Sequence, residues 1–567
     1  MYFKIRVVAS AVFTAFIVTC GAVPAFAQAT GTENPGRIEQ RFKPPPTPKA
    51  SPEISIPGPE APLPPAKAAS IHFTLTGVVI DGASVFSQAD LAPLYQNLLG
   101  HEVTLAQIYE LRDAITAKYR KAGFVLSQAI IPPQKIAGGI VHIRVVEGYI
   151  DHVEFQGKTD DDRGLIREMA EKITESRPLN VKVLERYVLL VSDLPGISVR
   201  TVIKPAKDMP GAADLVFILS HALVSGDAEI DNRGSEAIGP EQGQIGIDFN
   251  SIYGQDEQTS FLFATTGQPK ELQYGRVASM WVLDPEGSRL TLSGSYSRTN
   301  PSGQISVLNP TGWAVIGSAL FDYPAIRSRS ENLNLGAGLT YENSVTKLLG
   351  QHFSDDRIRY LSVHATYDAA DTFFGDRYPA SNIIEGQWYQ GLNILDETHT
   401  GSIYLSRGNA QSDFSLFTAT ATRIQSLIDN TSLAVSASGQ VSDAPLVVPM
   451  QFGLGGSRFG RGYEPSELTG DEGVAASVEA RYDIPFFSDI FGHPELYAFY
   501  DVGQIWNIDA LPGTFSSASL ASAGGGIRFT VLGRIDIDFE LAKPLTRAIA
   551  SRGNKDVRPL FNISTRF

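Results

Sequence analysis

From residue 223 to the C-terminal Phe567 helical periodicity is absent, and apolar residues recur at every second position. In 534–541, Ile535, Ile537, Phe539 and Leu541 alternate with Arg534, Asp536, Asp538 and Glu540. In 289–296, Leu290, Leu292 and Tyr296 alternate with Arg289, Thr291, Ser293 and Ser295, and 416–424 and 432–438 read the same way. Turns rich in Gly, Asn, Asp and Ser separate these runs. Such a pattern builds sheets with one polar face, either a soluble sheet or an outer-membrane barrel whose polar face lines the lumen. The row Phe561, Ile563, Thr565, Phe567 ends the chain on an aromatic residue, and aromatic residues make up 10% of the sequence. Both favour the barrel. At roughly 10 residues per strand plus turns, 223–567 holds about 16 antiparallel strands, with about 14 to 18 tolerable.

The N-terminus reads as an export signal. Lys4 and Arg6 precede the apolar run Val7 to Cys20, and Ala25-Phe26-Ala27 fits the small-x-small cleavage rule. Cleavage after Ala27 is expected, giving a signal peptide of 1–27 and a mature start at Gln28. An uncleaved anchor fits less well, because the apolar run is short and Pro24 follows. Lipidation at Cys20 fits poorly with Thr19 before it. Cys20 is the only cysteine, so disulfide frameworks and cysteine metal sites are excluded. The net charge of −14 argues against a nucleic-acid partner. Beyond the N-terminus no apolar run reaches 18 residues, the length of a membrane helix.

Residues 28–43 are polar, and Pro35 followed by Arg37 to Phe42 predicts a short helix with proline near its first position. Residues 44–65 hold ten prolines in 22 positions and open a linker reaching residue 70. Extended at roughly 3.1 Å per residue, 44–65 spans on the order of 70 Å, more than a bilayer with headgroups at about 40–45 Å. A plain disordered tether has the same composition.

Residues 71–148 read as strand, helix, helix, strand, strand: Ile71–Ile80, Ser87–Leu99, a helix opened by the capping box Thr104 to Gln107, then Val125–Ile131 and Ile140–Val146. Leu105, Ile108, Leu111, Ile115 and Tyr119 line one face of the second helix, and Gly123 ends it. Residues 149–222 repeat the order, with Ile150–Phe155, Arg163–Thr174, a helix capped by Asn180, then Ile197–Ile203 and Ala213–Leu219. Gly157 and Gly196 stand where Gly82 and Gly123 stood. This is an internal repeat rather than two unrelated α+β domains.

Enzyme motifs fail. The nine histidines form no HExxH or HxH pair, and no GxSxG elbow occurs. Gly157-Lys158-Thr159 resembles the end of a phosphate loop, but His152 stands where glycine is required. Asp160-Asp161-Asp162 suits a helix start and lacks calcium-loop spacing. No catalytic residue, metal site or cofactor is expected.

Two segments carry more. Residues 453–463, Gly-Leu-Gly-Gly-Ser-Arg-Phe-Gly-Arg-Gly-Tyr, place five glycines in 11 positions, a loop needing close backbone approach or positive φ. In 496–503, Leu496, Ala498, Tyr500 and Val502 face one way, and Tyr497, Phe499, Asp501 and Gly503 the other. If the first set meets lipid, Asp501 points into the lumen and needs a partner or water, and the Gly-rich loop offers an arginine.

An Arg-Gly-Tyr loop after Gly-Gly, followed by Phe-x-Asp-x-Gly on a later strand, resembles the superfamily of the bacterial barrel-assembly insertase. The two preceding repeats resemble its POTRA domains, at 71–148 and 149–222. With Asp231-Asn232-Arg233-Gly234 opening the barrel, the chain resembles the outer-membrane transporters of two-partner secretion, typified by the filamentous haemagglutinin and haemolysin exporters. The resemblance implies a multidomain fold: a helix from 28–43 plugging a 16-stranded transmembrane β-barrel at 223–567, an extended linker, and two α+β POTRA domains in the periplasm. It maps the loop motif onto Gly455, Gly456, Arg461, Gly462 and Tyr463, within a loop of about 453–473. It maps the strand motif onto Phe499, Asp501 and Gly503, and the C-terminal assembly signal onto Phe567. The family usually has valine before the arginine, where this chain has Gly460. The implied function is capture of an unfolded secreted partner in the periplasm and its export through the barrel, without ATP. The implied partners are a large β-rich, adhesin- or haemolysin-like protein, outer-membrane lipid and the barrel-assembly machinery, with no nucleic acid and a monomeric state. The rival readings are an insertase, which usually has more than two POTRA repeats, a passive porin-like channel, and a barrel-anchored enzyme.

Overall fold

The computed structural model describes residues 33–43, 54–55, 67–158, 164–206, 209–485 and 490–567. The export signal with Ala25-Phe26-Ala27, most of the proline-rich stretch and Asp160–Asp162 lie outside the described residues.

The period-two region closes into a single barrel of 16 strands in meander order, from β9 (Val224–Asp231) to β24 (Arg558–Arg566), which pair to seal it. All neighbours are antiparallel. The alternation predicts which side chains point where. Ile245, Phe263, Val277, Leu292, Leu339, Ile384, Phe417, Tyr500 and Leu541 lie on the outer surface and are exposed, whereas Glu342, Arg359, Ser477, Glu479, Asp501 and Glu540 point inward and are buried. A soluble sheet could not carry an apolar belt of that extent. In lipid it is the correct outer face, and the closed barrel leaves no backbone edge unpaired in hydrocarbon. None of the described helices is long and apolar enough to cross a membrane.

Two α+β units precede the barrel. In the first, β1 (His72–Thr74) pairs with β3 (Glu102–Thr104), while β2 (Gly77–Asp81) runs parallel to β5 (Ile140–Val146), which takes β4 (Gln128–Ile130) on its other side. The second unit repeats this: β6 (Tyr149–Lys158) is parallel to β8 (Ala212–His221), and β7 (Ile197–Pro205) is antiparallel to it. Gly82 and Gly157 both hold positive φ at the end of the first sheet strand. Helix α3 (Leu105–Lys121) opens with the expected Thr104–Gln107 capping box and buries Ile108, Leu111, Ile115 and Tyr119.

Three local expectations differ. The single strand over 71–80 is two strands with different partners, β1 and β2. The helix expected over 87–99 is one turn, α2 (Gln88–Leu91), followed by two 3-10 turns, because Pro93 cannot continue the α-helical ladder. The strand over 125–131 shrinks to 128–130.

The second unit is bolted to the barrel. Its helix α5 (Val181–Ser192) and the residue after it, Asp193, face the turns at the near end. Asp193 pairs with Arg327 at 2.8 Å and Arg289 at 3.6 Å, and Tyr187 donates to Glu286 at 2.6 Å. Val282 and Met280 of the barrel pack into the unit's own core.

Candidate functional site

The longest structured excursion of the barrel joins β19 (Thr431–Ser442) to β20 (Glu472–Asp483) and contains the Gly-rich loop. It folds back as a small hairpin, Phe452–Leu454 against Leu468–Gly470. Two of its glycines flank the arginine. Gly460 sits at φ +89°, where a β-branched residue is strained, so the backbone here is shaped for glycine. Gly462 lies against the backbone of Lys543 and Pro544, leaving no room for a Cβ.

This packing delivers Arg461 to the wall. Asp501, on β21 (Phe491–Trp506), is fully buried and accepts from the Gly460 N–H at 3.2 Å, the Arg461 N–H at 2.9 Å, and Arg461 Nε and Nη2 at 3.2 and 3.0 Å. Ser477 and Ser522 also donate to it, at 2.8 and 3.3 Å. The fork of Arg461 is shared: Nη1 donates to Glu479 at 2.5 Å and Nη2 to Ser477 at 3.1 Å. The guanidinium lies 3.5 Å over the Phe499 ring. An arginine so placed has nearly all its donors used and its flat face covered, which suits a bidentate, stacked site that lysine could not fill.

The other motif residues have parts in the same packing. Tyr463 is buried, and its hydroxyl donates to the Ala521 carbonyl at 3.2 Å while accepting from the Arg547 N–H at 3.2 Å. Gly503 leaves space for Leu454 of the hairpin, and Gly455 and Gly456 turn the chain beneath it with positive φ. Phe567 is remote, at the seam. Its N–H donates to the Gly226 carbonyl at 3.0 Å and its carbonyl accepts from Gly226 at 2.9 Å.

Sequence reasoning named a pair, and the structure contains a cluster. Glu479 also holds Arg528 at 2.9 Å and Arg481 at 2.8 Å. Glu540 stands 3.7 Å from Arg461. Each lies at an inward position of an alternating strand, so the pattern marks them as lumenal. It does not mark them as loop partners.

The short helix lies in the barrel beside this loop. A 3-10 turn, Pro35–Arg37, leads into α1 (Ile38–Phe42). Arg37 is buried and donates to the Val448 and Gln451 carbonyls at 2.8 and 2.7 Å and to Ser466 at 3.1 Å, all in the same excursion. Ser297 donates to the Pro35 carbonyl, and Phe42 stacks on Tyr274 of the wall. Among the described residues no group of His, Cys, Asp and Glu is placed to hold a metal.

Residues 73–148 match the model of the ShlB-type POTRA domain. Residues 219–529, more than half of the chain, match that of the haemolysin secretion/activation proteins ShlB/FhaC/HecB. The chain belongs to this family. The heme/hemopexin transporter protein HuxB of Haemophilus influenzae (strain 86-028NP) is 23% identical over 558 residues, 96% of each chain. The outer membrane transporter CdiB of Escherichia coli O6:K15:H31 is 26% identical over 182 residues, 32% of this chain and 31% of that one. The solved structure of CdiB from Escherichia coli shares the fold with a TM-score of 0.71 at 19% identity, covering 90% of this chain and 94% of that one. As a ShlB/FhaC/HecB-type protein, the chain is an outer-membrane transporter of two-partner secretion that exports a partner protein through its barrel, with POTRA units in the periplasm. Its family relatives are transporters.

Proposed function

We propose that the cargo is a large, β-rich protein, captured as an extended strand at the open edge of β7 in a second POTRA unit at 149–222. It is then passed through the lumen once the helix of residues 28–43 has withdrawn. The observation that carries this reading is the way β7 already receives chain. Ile54–Ser55 of the linker adds to it in parallel, opposite Thr201 and Val202, and among the described residues nothing else pairs with that outer edge. Pairing through main-chain groups tolerates sequence, as a transporter of one long unfolded chain requires. A 16-stranded barrel is wide enough for an aqueous channel. Arg461, gripped by Asp501 and Glu479, holds the loop against the wall and so sets the shape of the passage. Capture needs no cofactor and no nucleotide.

A photoreactive side chain at Val202, on the outward row of β7, tests the capture step. During export it should crosslink to the partner, and the yield should fall when the partner's export is blocked upstream. Crosslinks at Ile140 of the first unit but none at Val202 would overturn capture at this edge.

A further inference from the structure

We propose that Glu540 couples closure of the barrel to the seating of the Arg461 loop, so that neither opens without weakening the other. The barrel is sealed by few bonds. Strands β9 and β24 share five paired residues, Asp227 to Asp231 against Arg566 to Asn562, whereas β9 and β10 (Gln242–Asn250) share eight. The residues just past Asp231, the end of β9, add to this short ladder. The Asn232 N–H donates to the Phe561 carbonyl at 3.4 Å, its side-chain oxygen accepts from the Phe561 N–H at 2.8 Å, and its amide donates to the Pro559 carbonyl at 3.0 Å.

Arg233 reaches further. It crosses over β24 to β23 (Ile535–Pro544), where it meets Glu540 Oε1 at 3.2 Å and Asp538 at 3.5 Å. Glu540 is almost wholly buried, with a side-chain exposure of 1%. Its other oxygen, Oε2, lies 3.7 Å from Arg461 and accepts from the Tyr497 hydroxyl at 3.1 Å. One carboxylate therefore sits between an arginine anchored to the first strand and an arginine anchored to the loop. A second route runs in parallel: Asp538 is 3.4 Å from Arg528, which holds Glu479, a further anion on Arg461.

A buried carboxylate is stable only while it is paired. Separation of β9 from β24 carries Arg233 away and leaves Glu540 with one distant cation. Withdrawal of the loop carries Arg461 away and leaves it with Arg233 alone. Arg233 on one oxygen and Arg461 on the other fix the orientation of the one carboxylate, so the loss of either lets the Glu540 side chain turn and weakens its hold on the other, and such a coupling is reciprocal.

Hydrogen exchange on the full-length protein in lipid nanodiscs tests this, with a readout independent of secretion. Arg233→Gln should speed exchange at least fivefold in 455–463, where it touches nothing. Arg461→Gln should speed it comparably in 558–566, and Glu540→Gln should speed both. Adding Arg233→Gln to Glu540→Gln should change the loop little further. Arg423→Gln, which removes a pair with Asp371 on other strands of the barrel, should leave both segments unchanged. Effects confined to the mutated side, or equal loosening by Arg423→Gln, would overturn the proposal. Should Glu540→Gln fail to assemble, the reciprocal effects of Arg233→Gln and Arg461→Gln decide it alone.

Discussion

Arg461 stands among more acids than it can satisfy alone, and that fixes what its loss does. Arg461→Ala leaves Asp501 and Glu479 buried around a vacated space, a loss on the order of 3–5 kcal/mol for a broken buried pair. The expected result is loosened loop packing and reduced export, while the barrel still inserts. Exchanging the charges, Arg461→Asp with Asp501→Arg, should not restore export, because the new aspartate would face Glu479 and Glu540. Restoration to near wild type would mean that the cluster acts as a simple pair. The pair itself was legible: alternation turned Asp501 inward, and the glycines allowed an arginine to come close. Glu479 and Glu540 were not, because which lumenal carboxylate stands at the height of the loop depends on register between distant strands. A second residue-scale prediction lies outside the membrane. Glu147 accepts from the Ser84 and Val85 N–H groups at 2.7 and 3.0 Å and from the Tyr119 hydroxyl at 2.8 Å. Burial opposes its charge, but these bonds and the Ser84 hydroxyl outweigh it and hold the carboxyl below its usual range. The stability it contributes is thus full above the unfolded value, near 4.3, and is lost as pH falls through the lower folded value. Glu147→Gln should cost about 1–3 kcal/mol at pH 7, read as lost exchange protection around 82–86, and the difference from wild type should fade as pH drops below about 4.

Elements were read well where one rule governed them and poorly where two competed. Helix α3 had a capping box, a full apolar face and a terminating glycine, and it forms over Leu105–Lys121. The segment 87–99 had helical spacing interrupted by Pro93, and the proline prevailed. Strand ends were blurred because pairing, not composition, decides where a strand stops, as the short β4 shows. The last strand illustrates how an end can matter more than its length. Phe567 lies beyond β24, yet it exchanges two backbone bonds with Gly226 in a seam of only five paired residues. Deleting Phe567 removes both bonds and the ring, whereas Phe567→Ala removes the ring alone. The deletion should lower the heat-modifiable folded barrel in outer membranes more than the alanine does. Equal losses would assign the effect to the aromatic side chain and its recognition during assembly, and unchanged levels would deny the terminus any part.

The whole molecule is an inside-out amphiphile, and that inversion was visible in the sequence because alternation survives whichever face is wet. What local patterns could not reveal is how the lumen is filled. The helix of Pro35–Phe42 and the Gly-rich excursion occupy it together, and Arg37 ties one to the other. Its guanidinium is satisfied by two carbonyls and a hydroxyl that all belong to the excursion, Gln40 adds a bond to the Pro449 carbonyl there at 3.0 Å, and Ser297 and Tyr274 hold the helix to the wall. Removing residues 28–43 should therefore raise single-channel conductance in planar bilayers, because it empties space that the loop alone does not fill. Arg37→Ala should give a different signature. The helix keeps its wall contacts, its tether and the Gln40 bond to Pro449 but loses most of its grip on the loop, so the open level should match the deletion while being visited only part of the time. A loss of roughly 1.4 kcal/mol in that grip corresponds to a tenfold gain in the ratio of open to closed time. A truncated protein that conducts like the intact one would show that the helix does not restrict the pore. An Arg37→Ala channel open to the same level as the deletion and never closing would show that the wall contacts and the Gln40 bond contribute nothing, making Arg37 the sole holder of the helix.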